Sequence, residues 1–165
     1  MSVVCGKVCR DKIVMCADSI VVRGWSKEPT NKNFTKMDRI NGMIIGGVGY
    51  AQETSLLYQF AKTHQPLEAT DRSVLDFIVE FCKYQSGLTN CFGINNDYLI
   101  AFQGKLFSVE NMFVREIKDY FSIGAGADFS NSALFLGHTP QEAVKTACAL
   151  SCMVAEPLIV EEMFI

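Results

Sequence analysis

At 165 residues with 49% hydrophobic and 20% charged side chains, the chain is long enough for one well-buried core and too short for two ordinary domains, so we expect a single domain over residues 1–165. A formal net charge of −3 and scattered Lys and Arg residues argue against binding to nucleic acid or to an anionic membrane surface. No apolar run approaches the roughly 18 residues of a membrane-spanning helix, and no basic region followed by an apolar run marks the chain for export, so we expect a cytoplasmic protein.

The first fifty residues predict two β-hairpins separated by a loop. The segment SVVCGKVCRDKIVMCAD is rich in Val, Ile and Cys on both sides of the polar turn at residues 10–12, which predicts two short strands, the first starting at the terminus. Residues 23–33 combine Gly, Ser, Pro, Thr and Asn and predict an irregular loop. The segment FTKMDRINGMIIGGVG predicts the second hairpin, because Asn41-Gly42 is a pair favoured by type I′ turns.

Two amphipathic helices and a second group of strands are predicted next. The apolar spacing in AQETSLLYQFAKTH predicts one helix after Gly49. A second helix follows, with Thr70 or Asp71 as its cap and a broad apolar face through residues 74–82. Residues 90–108 predict two or three short strands broken at residues 95–97 and at Gly104, and a further strand ends at residues 121–123.

The C-terminal third predicts two helices and a final strand. The segment GAGADFSNSALFLG predicts a glycine-bounded helix. The run TPQE at residues 139–142 supplies a cap, a proline at the first helical position and a capping glutamate, so a helix is expected from there to about Ala155. A last strand over PLIVEEMFI completes an α+β fold, a four-layer αββα sandwich of two antiparallel sheets flanked by helices.

The cysteines and glycine-rich segments do not predict a cofactor. Seven cysteines, an odd number without metal-ligand spacing, are typical of a reducing compartment. Cys148 and Cys152 lie one helical turn apart, and we interpret them as core residues rather than metal ligands. The segments IGGVGY and IGAGAD lack the residues of a nucleotide site, so no cofactor and no metal is expected. Glycine turns before helices also direct backbone N–H groups, and an oxyanion is another common target of such groups.

Ser2 is a candidate nucleophile because it directly follows Met1. Methionine before so small a residue is normally removed, which leaves a serine hydroxyl and a free α-amine on one residue. Such an amine has a pKa near 8 in model compounds and can act as the base for its own hydroxyl. The alternative interpretation is an ordinary small residue at a chain start.

The segment SVVCGKVCRDKIVMCADS resembles the start of a mature proteasome β subunit and of its bacterial two-component relative, with a nucleophile, a strand, a Lys/Arg-Asp turn, a strand and Ala-Asp-Ser. The segments FTKMDRINGMIIGGVGYAQ, FSIGAGADFSNSALFL and HTPQEAVKTACAL are similar to later motifs of this family. The resemblance spans nearly the whole chain except roughly residues 65–115. It implies the fold of the N-terminal-nucleophile (Ntn) hydrolases.

The resemblance also implies roles for four residues. Ser2 takes the place of the family's N-terminal threonine and would attack a scissile carbonyl group, passing its proton to its own α-amine. Lys36 matches the active-site lysine, whose charge lowers the pKa values of nearby acids, and Asp18 matches the carboxylate paired with it. Gly46 matches the glycine whose N–H group stabilises the tetrahedral oxyanion.

Two positions depart from the family pattern. Ala125 stands where the family has a serine that helps to organise the amine, and Met153 stands where it has a second aspartate late in the last long helix. Glu156 is the nearest carboxylate to that position. Such losses around a site commonly lower reaction rates by orders of magnitude.

The sequence therefore predicts a proteasome-like endopeptidase that cleaves unfolded polypeptides with Ser2 after removal of Met1. The resemblance implies a homo-oligomeric ring and an ATP-dependent unfoldase as partner. A noncatalytic subunit of the same fold, with an assembly or binding role, is favoured by Ala125, Met153 and a retained Met1. A small-molecule amidase would use the same serine without a ring.

Overall fold

The computed structural model describes residues 2–24, 26–29 and 35–165. The secondary structure elements in these ranges are, in chain order, β1 Val4–Val8, β2 Lys12–Asp18, β3 Ile20–Arg23, β4 Ser26–Pro29, β5 Met37–Ile40, β6 Met43–Val48, α1 Ala51–Ala61, α2 Asp71–Ser86, β7 Asp97–Phe102, β8 Lys105–Glu110, β9 Phe113–Ile117, β10 Tyr120–Ile123, α3 Ala127–Phe135, α4 Pro140–Leu150 and β11 Leu158–Phe164. Within this part of the chain, no helix is both long enough and apolar enough to cross a membrane.

Two antiparallel sheets form the inner layers. One has the strand order β10-β1-β2-β11, the other has the order β5-β6-β7-β8-β9, and β3 pairs with β4 separately. The facing sides of the two large sheets bury one apolar cluster that includes Val4, Met15, Ile44 and Leu99. The predicted pair of packed antiparallel sheets is therefore confirmed.

The four helices form the outer layers. Helices α1 and α2 cover the five-stranded sheet through a cluster that includes Phe60, Phe81 and Tyr98. Helices α3 and α4 cover the four-stranded sheet through a second cluster that includes Val3 and Val144. Each sheet thus buries both faces, which confirms the predicted αββα order of layers.

Strand β1 lies inside its sheet rather than at an edge. Val4 pairs with Ala17 of β2 on one side and with Ile123 of β10 on the other. The start of the chain is therefore held between the end of β2 and the turn that follows β10, and this placement positions the candidate site.

Two local predictions from turn and cap chemistry are confirmed. Asn41 and Gly42 have φ angles of 49° and 77°, the left-handed values that a type I′ turn requires at both central positions. At the start of α4, the Thr139 side chain accepts a hydrogen bond from the Glu142 N–H group, and the Glu142 carboxylate accepts one from the Thr139 N–H group. This reciprocal pair is the predicted capping box.

The prediction of an irregular loop over residues 23–33 is wrong for the part that the structure describes. Residues 20–23 and 26–29 pair as β3 and β4 in a small hairpin. Gly24 has a φ angle of 60° and occurs at the turn, so the Gly and Ser content marks a hairpin turn rather than a loop. Trp25 and residues 30–34 lie outside the described residues.

The predictions for the last helix and for one strand also need correction. Helix α4 ends at Leu150, not near Ala155, because Ser151 adopts an extended backbone conformation with ψ 127°. The Ser151 hydroxyl accepts a hydrogen bond from the Met153 N–H group, which competes with continuation of the helix. Strand β9, which was not predicted from the sequence, pairs with β8 at the edge of its sheet.

Candidate active site

A buried ion pair joins the two sheets close to the start of the chain. Lys36 lies just before β5 and Asp18 ends β2, and the Lys36 Nζ atom lies 2.7 Å from Asp18 Oδ2. Asp18 is fully buried and Lys36 is 4% exposed. Because removing two charges from water costs several kcal/mol per ion, a pair in this environment is weak evidence for stability and calls for another explanation.

The second oxygen of Asp18 binds the backbone next to Ser2. The Val3 N–H group donates a hydrogen bond of 2.8 Å to Asp18 Oδ1, and the Asp18 N–H group donates one of 3.2 Å to the Val3 carbonyl. One carboxylate therefore holds the Lys36 ammonium group and the peptide bond that joins Ser2 to Val3. The structure brings these three sequence-predicted residues, Ser2, Asp18 and Lys36, into one buried cluster.

The turn after β10 holds Ser2 from the other side. The Gly126 N–H group donates a hydrogen bond of 3.2 Å to the Ser2 carbonyl. Gly124 has a φ angle of 94°, and a Cβ atom there would overlap with the Ser2 carbonyl oxygen. Glycine is thus required at residue 124 by both its backbone angle and its closeness to Ser2.

The buried environment lowers the proton affinity of the Lys36 side chain. Burial lowers the pKa of the Lys36 ammonium group from its ordinary value, and the charge of Asp18, with a smaller contribution from Cys148, offsets this only in part. The ammonium group therefore loses its proton, and with it the positive charge at the site, at a lower pH than an ordinary lysine would.

Gly46 does not present its N–H group to the chain start. In β6 the Gly47 N–H group donates a hydrogen bond of 2.9 Å to the Lys36 carbonyl, so it faces β5. Successive N–H groups of a strand face opposite edges, and Gly46 pairs with Leu99 of β7 on that other edge. The expectation that Gly46 donates to an oxyanion therefore conflicts with the strand geometry. Gly46 instead allows close packing, since a Cβ atom there would lie 2.6 Å from Val4 Cγ1.

The end of β6, rather than its middle, lies against Ser2. A Cβ atom on Gly124 would be 3.0 Å from both the Ser2 carbonyl carbon and Val48 Cγ1, so Val48 and Ser2 contact the same turn. Gly49 follows Val48, beyond the last paired residue of β6. Because successive N–H groups alternate between the two edges of a strand, the Gly49 N–H group lies on the same edge as that of Gly47.

A buried polar network fixes this strand end, and no sequence pattern predicted it. The Glu53 carboxylate in α1 accepts hydrogen bonds from the N–H groups of Asn95 and Asn96 and from the Tyr98 hydroxyl, at 2.9–3.0 Å. The Asn96 side chain binds the backbone of Tyr50. The run Asn95-Asn96-Asp97 had predicted only a break between strands, and the network joins residues more than 40 positions apart, which no local pattern indicates.

The positions that depart from the family pattern do not regain the missing groups. Ala125 is exposed, and Met153 lies in the segment after α4 rather than late in that helix. Glu156 is exposed, so it does not supply a buried carboxylate in place of the family's second aspartate. Met1 lies outside the described residues.

Metal-binding side chains do not cluster in the described part of the chain, where no group of three or more His, Cys, Asp or Glu residues is placed to hold an ion. Cys148 is partly buried and Cys152 is exposed. The interpretation of both cysteines as core residues is therefore wrong for Cys152, because the chain has already left α4 at that position.

Solved structures share this architecture over nearly the whole chain. BPH from Thiobacillus denitrificans, in complex with epoxomicin, has a TM-score of 0.86 at 17% sequence identity, with 98% of each chain covered. Eukaryotic HslV from Trypanosoma brucei has a TM-score of 0.73 at 17% identity over 99% of each chain. Anbu (ancestral beta-subunit) from Yersinia bercovieri has a TM-score of 0.73 at 12% identity, over 98% of this chain and 81% of that one.

The comparisons of sequence found no match, in contrast to the comparison of structures. No protein-family model matches the sequence, and no curated protein matches it. Structural similarity at sequence identities of 12–17% supports a shared fold but not a shared reaction. The resemblance seen in the sequence motifs is thus confirmed at the level of fold, and the chain has the proteasome β-type fold of the Ntn hydrolases.

Proposed function

We propose that this chain is a proteasome-like Ntn hydrolase that cleaves polypeptides with Ser2 as nucleophile, once the chain has been trimmed to expose the Ser2 amine. The observation that carries the proposal is the buried carboxylate of Asp18, which binds both Lys36 and the Val3 N–H group. A costly charge pair is placed against the first peptide bond after Ser2, where a nucleophile with its own amine would need it.

The reaction divides into two steps that share one base. In the first, Ser2 Oγ attacks the peptide carbonyl carbon, and its proton passes to the Ser2 α-amine. The tetrahedral intermediate then expels the peptide amine, which takes the proton from the α-ammonium group and leaves an ester on Ser2. In the second step the α-amine accepts a proton from water, whose oxygen attacks the ester carbonyl carbon. The ester C–O bond then breaks, Ser2 Oγ takes the proton back from the α-ammonium group, and the acid is released. The Lys36 charge favours the neutral amine and the developing alkoxide.

The oxyanion of that intermediate needs a backbone donor, and we assign this role to Gly49 rather than Gly46. The Gly46 N–H group faces β7, whereas Gly49 lies at the strand end beside Val48, which contacts the same turn as Ser2. Loss of one such donor typically costs about 100- to 1000-fold in rate.

Polypeptide is the proposed substrate class. The structure of BPH from Thiobacillus denitrificans holds epoxomicin, and we expect this chain to bind the same compound at Ser2. By the same analogy of fold, we propose assembly into a homo-oligomeric ring in the cytoplasm with an ATP-dependent unfoldase as partner. A molecular weight measured in solution tests the ring, and a monomer that hydrolyses small amides would favour the amidase alternative.

Labelling by a peptide β-lactone tests the nucleophile. Ser2 Oγ attacks the lactone carbonyl, the ring C–O bond breaks, and the released alkoxide takes the serine proton, so the mass rises by that of the whole probe. We expect intact mass to show a chain that begins at Ser2 and gains one probe, and a digest to place the probe on Ser2. Ser2→Ala removes the hydroxyl and should abolish labelling. Ser122→Ala is the matched control, because it removes a buried hydroxyl without a hydrogen-bond partner in the described structure.

A noncatalytic subunit is the second candidate, and the exposure of Glu156 together with Met153 at the family's aspartate position favours it. This alternative predicts a mass that includes Met1 and no labelling of Ser2 by the lactone. That result would refute catalysis while leaving the fold intact.

A further inference from the structure

Both polar atoms of the Asn96 side-chain amide form hydrogen bonds to residues at the start of α1. Its Oδ1 atom accepts a hydrogen bond of 2.6 Å from the Tyr50 N–H group. Its Nδ2 group donates one hydrogen bond of 2.8 Å to the Tyr50 carbonyl and another of 3.0 Å to Thr54 Oγ1. Asn96 is only 1% exposed, so these bonds form away from water, where each is costly to lose.

Both peptide groups of Tyr50 are held by this one amide, which restrains the backbone directly after Gly49. Gly49 has a φ angle of 128°, and a Cβ atom there would be 2.7 Å from Asn96 Cγ. The amide therefore packs against Gly49 while it binds Tyr50. Asn96 restrains the backbone that follows Gly49, and β6 restrains the backbone that precedes it. The Gly49 peptide plane therefore has little freedom to rotate.

Asn96 is itself held by α1. Its N–H group donates a hydrogen bond of 3.0 Å to Glu53 Oε1, and the same oxygen accepts one from the Tyr98 hydroxyl at 3.0 Å. Glu53 is buried. Both ends of the clamp thus belong to rigid elements, the first turn of α1 and the start of β7, as a precisely held catalytic group requires.

We propose that Asn96 is a positioning residue, which orients the Gly49 N–H group towards the oxyanion formed at Ser2. The inference rests on the proposed function and adds to it the reason why a glycine amide at a strand end is preorganised. Preorganised donors stabilise an oxyanion without reorienting during the reaction, and small misplacements of such groups cost roughly 100-fold in rate.

A purely structural role is the competing explanation, because Tyr50 is the N-cap residue of α1 and has no side-chain cap hydrogen bond. The test therefore compares Asn96→Ala with Thr54→Val. The valine variant removes one hydrogen bond of the same amide and keeps the shape of the side chain, but it leaves both bonds to Tyr50 in place. Asn96→Asp is the second variant, which keeps an acceptor for the Tyr50 N–H group and loses the donor to the Tyr50 carbonyl.

The readout is the rate of Ser2 acylation by the peptide β-lactone, separated into the maximal rate and the half-saturating concentration. We expect Asn96→Ala and Asn96→Asp to lower the maximal rate by about 10- to 100-fold, with less than about a three-fold change in the half-saturating concentration. Thr54→Val should stay within about three-fold of the parent in both. Circular dichroism at the assay temperature identifies any variant that does not fold, in which case the other Asn96 variant decides.

Three outcomes are distinguishable. If the parent chain does not label, the proposed function fails and the role of Asn96 in it fails as well. If the parent labels and a folded Asn96 variant labels at a rate within three-fold of Thr54→Val, the proposed function stands and the positioning role of Asn96 is refuted. A loss confined to the half-saturating concentration also refutes it, because an oxyanion donor acts on the maximal rate.

Discussion

The Asp18 carboxylate offers the sharpest test of how the site is built. Asp18→Asn keeps the shape of the side chain and an oxygen that can accept the Val3 N–H hydrogen bond, but it removes the charge opposite Lys36. The introduced amide would then direct a donor at the Lys36 ammonium group, which is itself only a donor. The substitution therefore isolates the charge pair from the backbone anchor.

The magnitude follows from the geometry of the pair. At 2.7 Å between Lys36 Nζ and Asp18 Oδ2, the direct attraction is about 6 kcal/mol at an effective dielectric constant of about 20. Leaving one partner buried and unpaired typically costs about 3–5 kcal/mol, a large share of the roughly 5–15 kcal/mol by which a domain is stable. We expect Asp18→Asn to lower the free energy of unfolding at pH 7 by about 3–5 kcal/mol.

The dependence of this loss on pH distinguishes charge from packing. The pKa of Lys36 is already lowered by burial, and Asp18 is what raises it, so in the variant it falls further. The folded variant then binds fewer protons than the folded parent, and the difference in stability between the two shrinks as the pH rises from 7 towards 10.

Urea unfolding at pH 7 and pH 10 measures both effects. With a slope of roughly 2 kcal/mol per molar urea, the expected loss moves the midpoint at pH 7 by about 1.5–2.5 M. Asp11→Asn, at an exposed position in the turn between β1 and β2, should change stability by less than about 0.5 kcal/mol. A loss below about 1 kcal/mol for Asp18→Asn, or a loss that grows with pH, would refute the reasoning.

Three further predictions concern the acylation rate, the packing of the sheets and the cysteines. Because the pKa of Lys36 is lowered, the acylation rate should fall as pH rises through that pKa. Lys36→Arg should react more slowly but without this decline, since the guanidinium group stays charged. An unchanged decline in the arginine variant would contradict the assignment of this pH dependence to Lys36. Gly46→Ala should lose about 1–3 kcal/mol in urea unfolding, since its Cβ atom would be 2.6 Å from Val4 Cγ1, whereas Gly93→Ala, with no atom within 4 Å, should be nearly neutral, and equal effects would argue against close packing at residue 46. Burial raises the pKa of Cys16 to about 12, so iodoacetamide at pH 8 should label exposed Cys152 first and Cys16 only after denaturation; mass spectrometry of the native digest checks this, and early labelling of Cys16 would count against the buried strand.

The parts of the fold that the sequence predicted are those set by local chemistry. The Asn41-Gly42 turn and the Thr139 capping box each depend on a few adjacent residues, so a short segment contains all the information. The closeness of Asp18 to the peptide bond after Ser2 was also accessible, because one tight hairpin fixes the register between β1 and β2 and brings Asp18 to Val3.

The parts that the sequence did not predict depend on distant partners. The pairing of β6 with β5 and β7 decides which edge of the strand the Gly46 N–H group faces. The spacing of sequence motifs gives no information about this pairing. The Asn96 clamp joins two segments more than 40 residues apart. Strand β9 was missed because Arg115 and Glu116 interrupt its apolar pattern, which is tolerated at the edge of a sheet.

The position of Ser2 just before a central strand has a consequence for the order of events during synthesis. One neighbour of β1 follows it within a few residues, but the other, β10, begins only at Tyr120, and the Gly126 bond to Ser2 comes later still. At about 5–20 residues per second, the ribosome needs roughly 6–24 seconds to reach residue 120. During this interval the first residues have β2 but not β10 beside them, so an enzyme that trims the chain back to Ser2 meets a terminus that the turn after β10 does not yet hold.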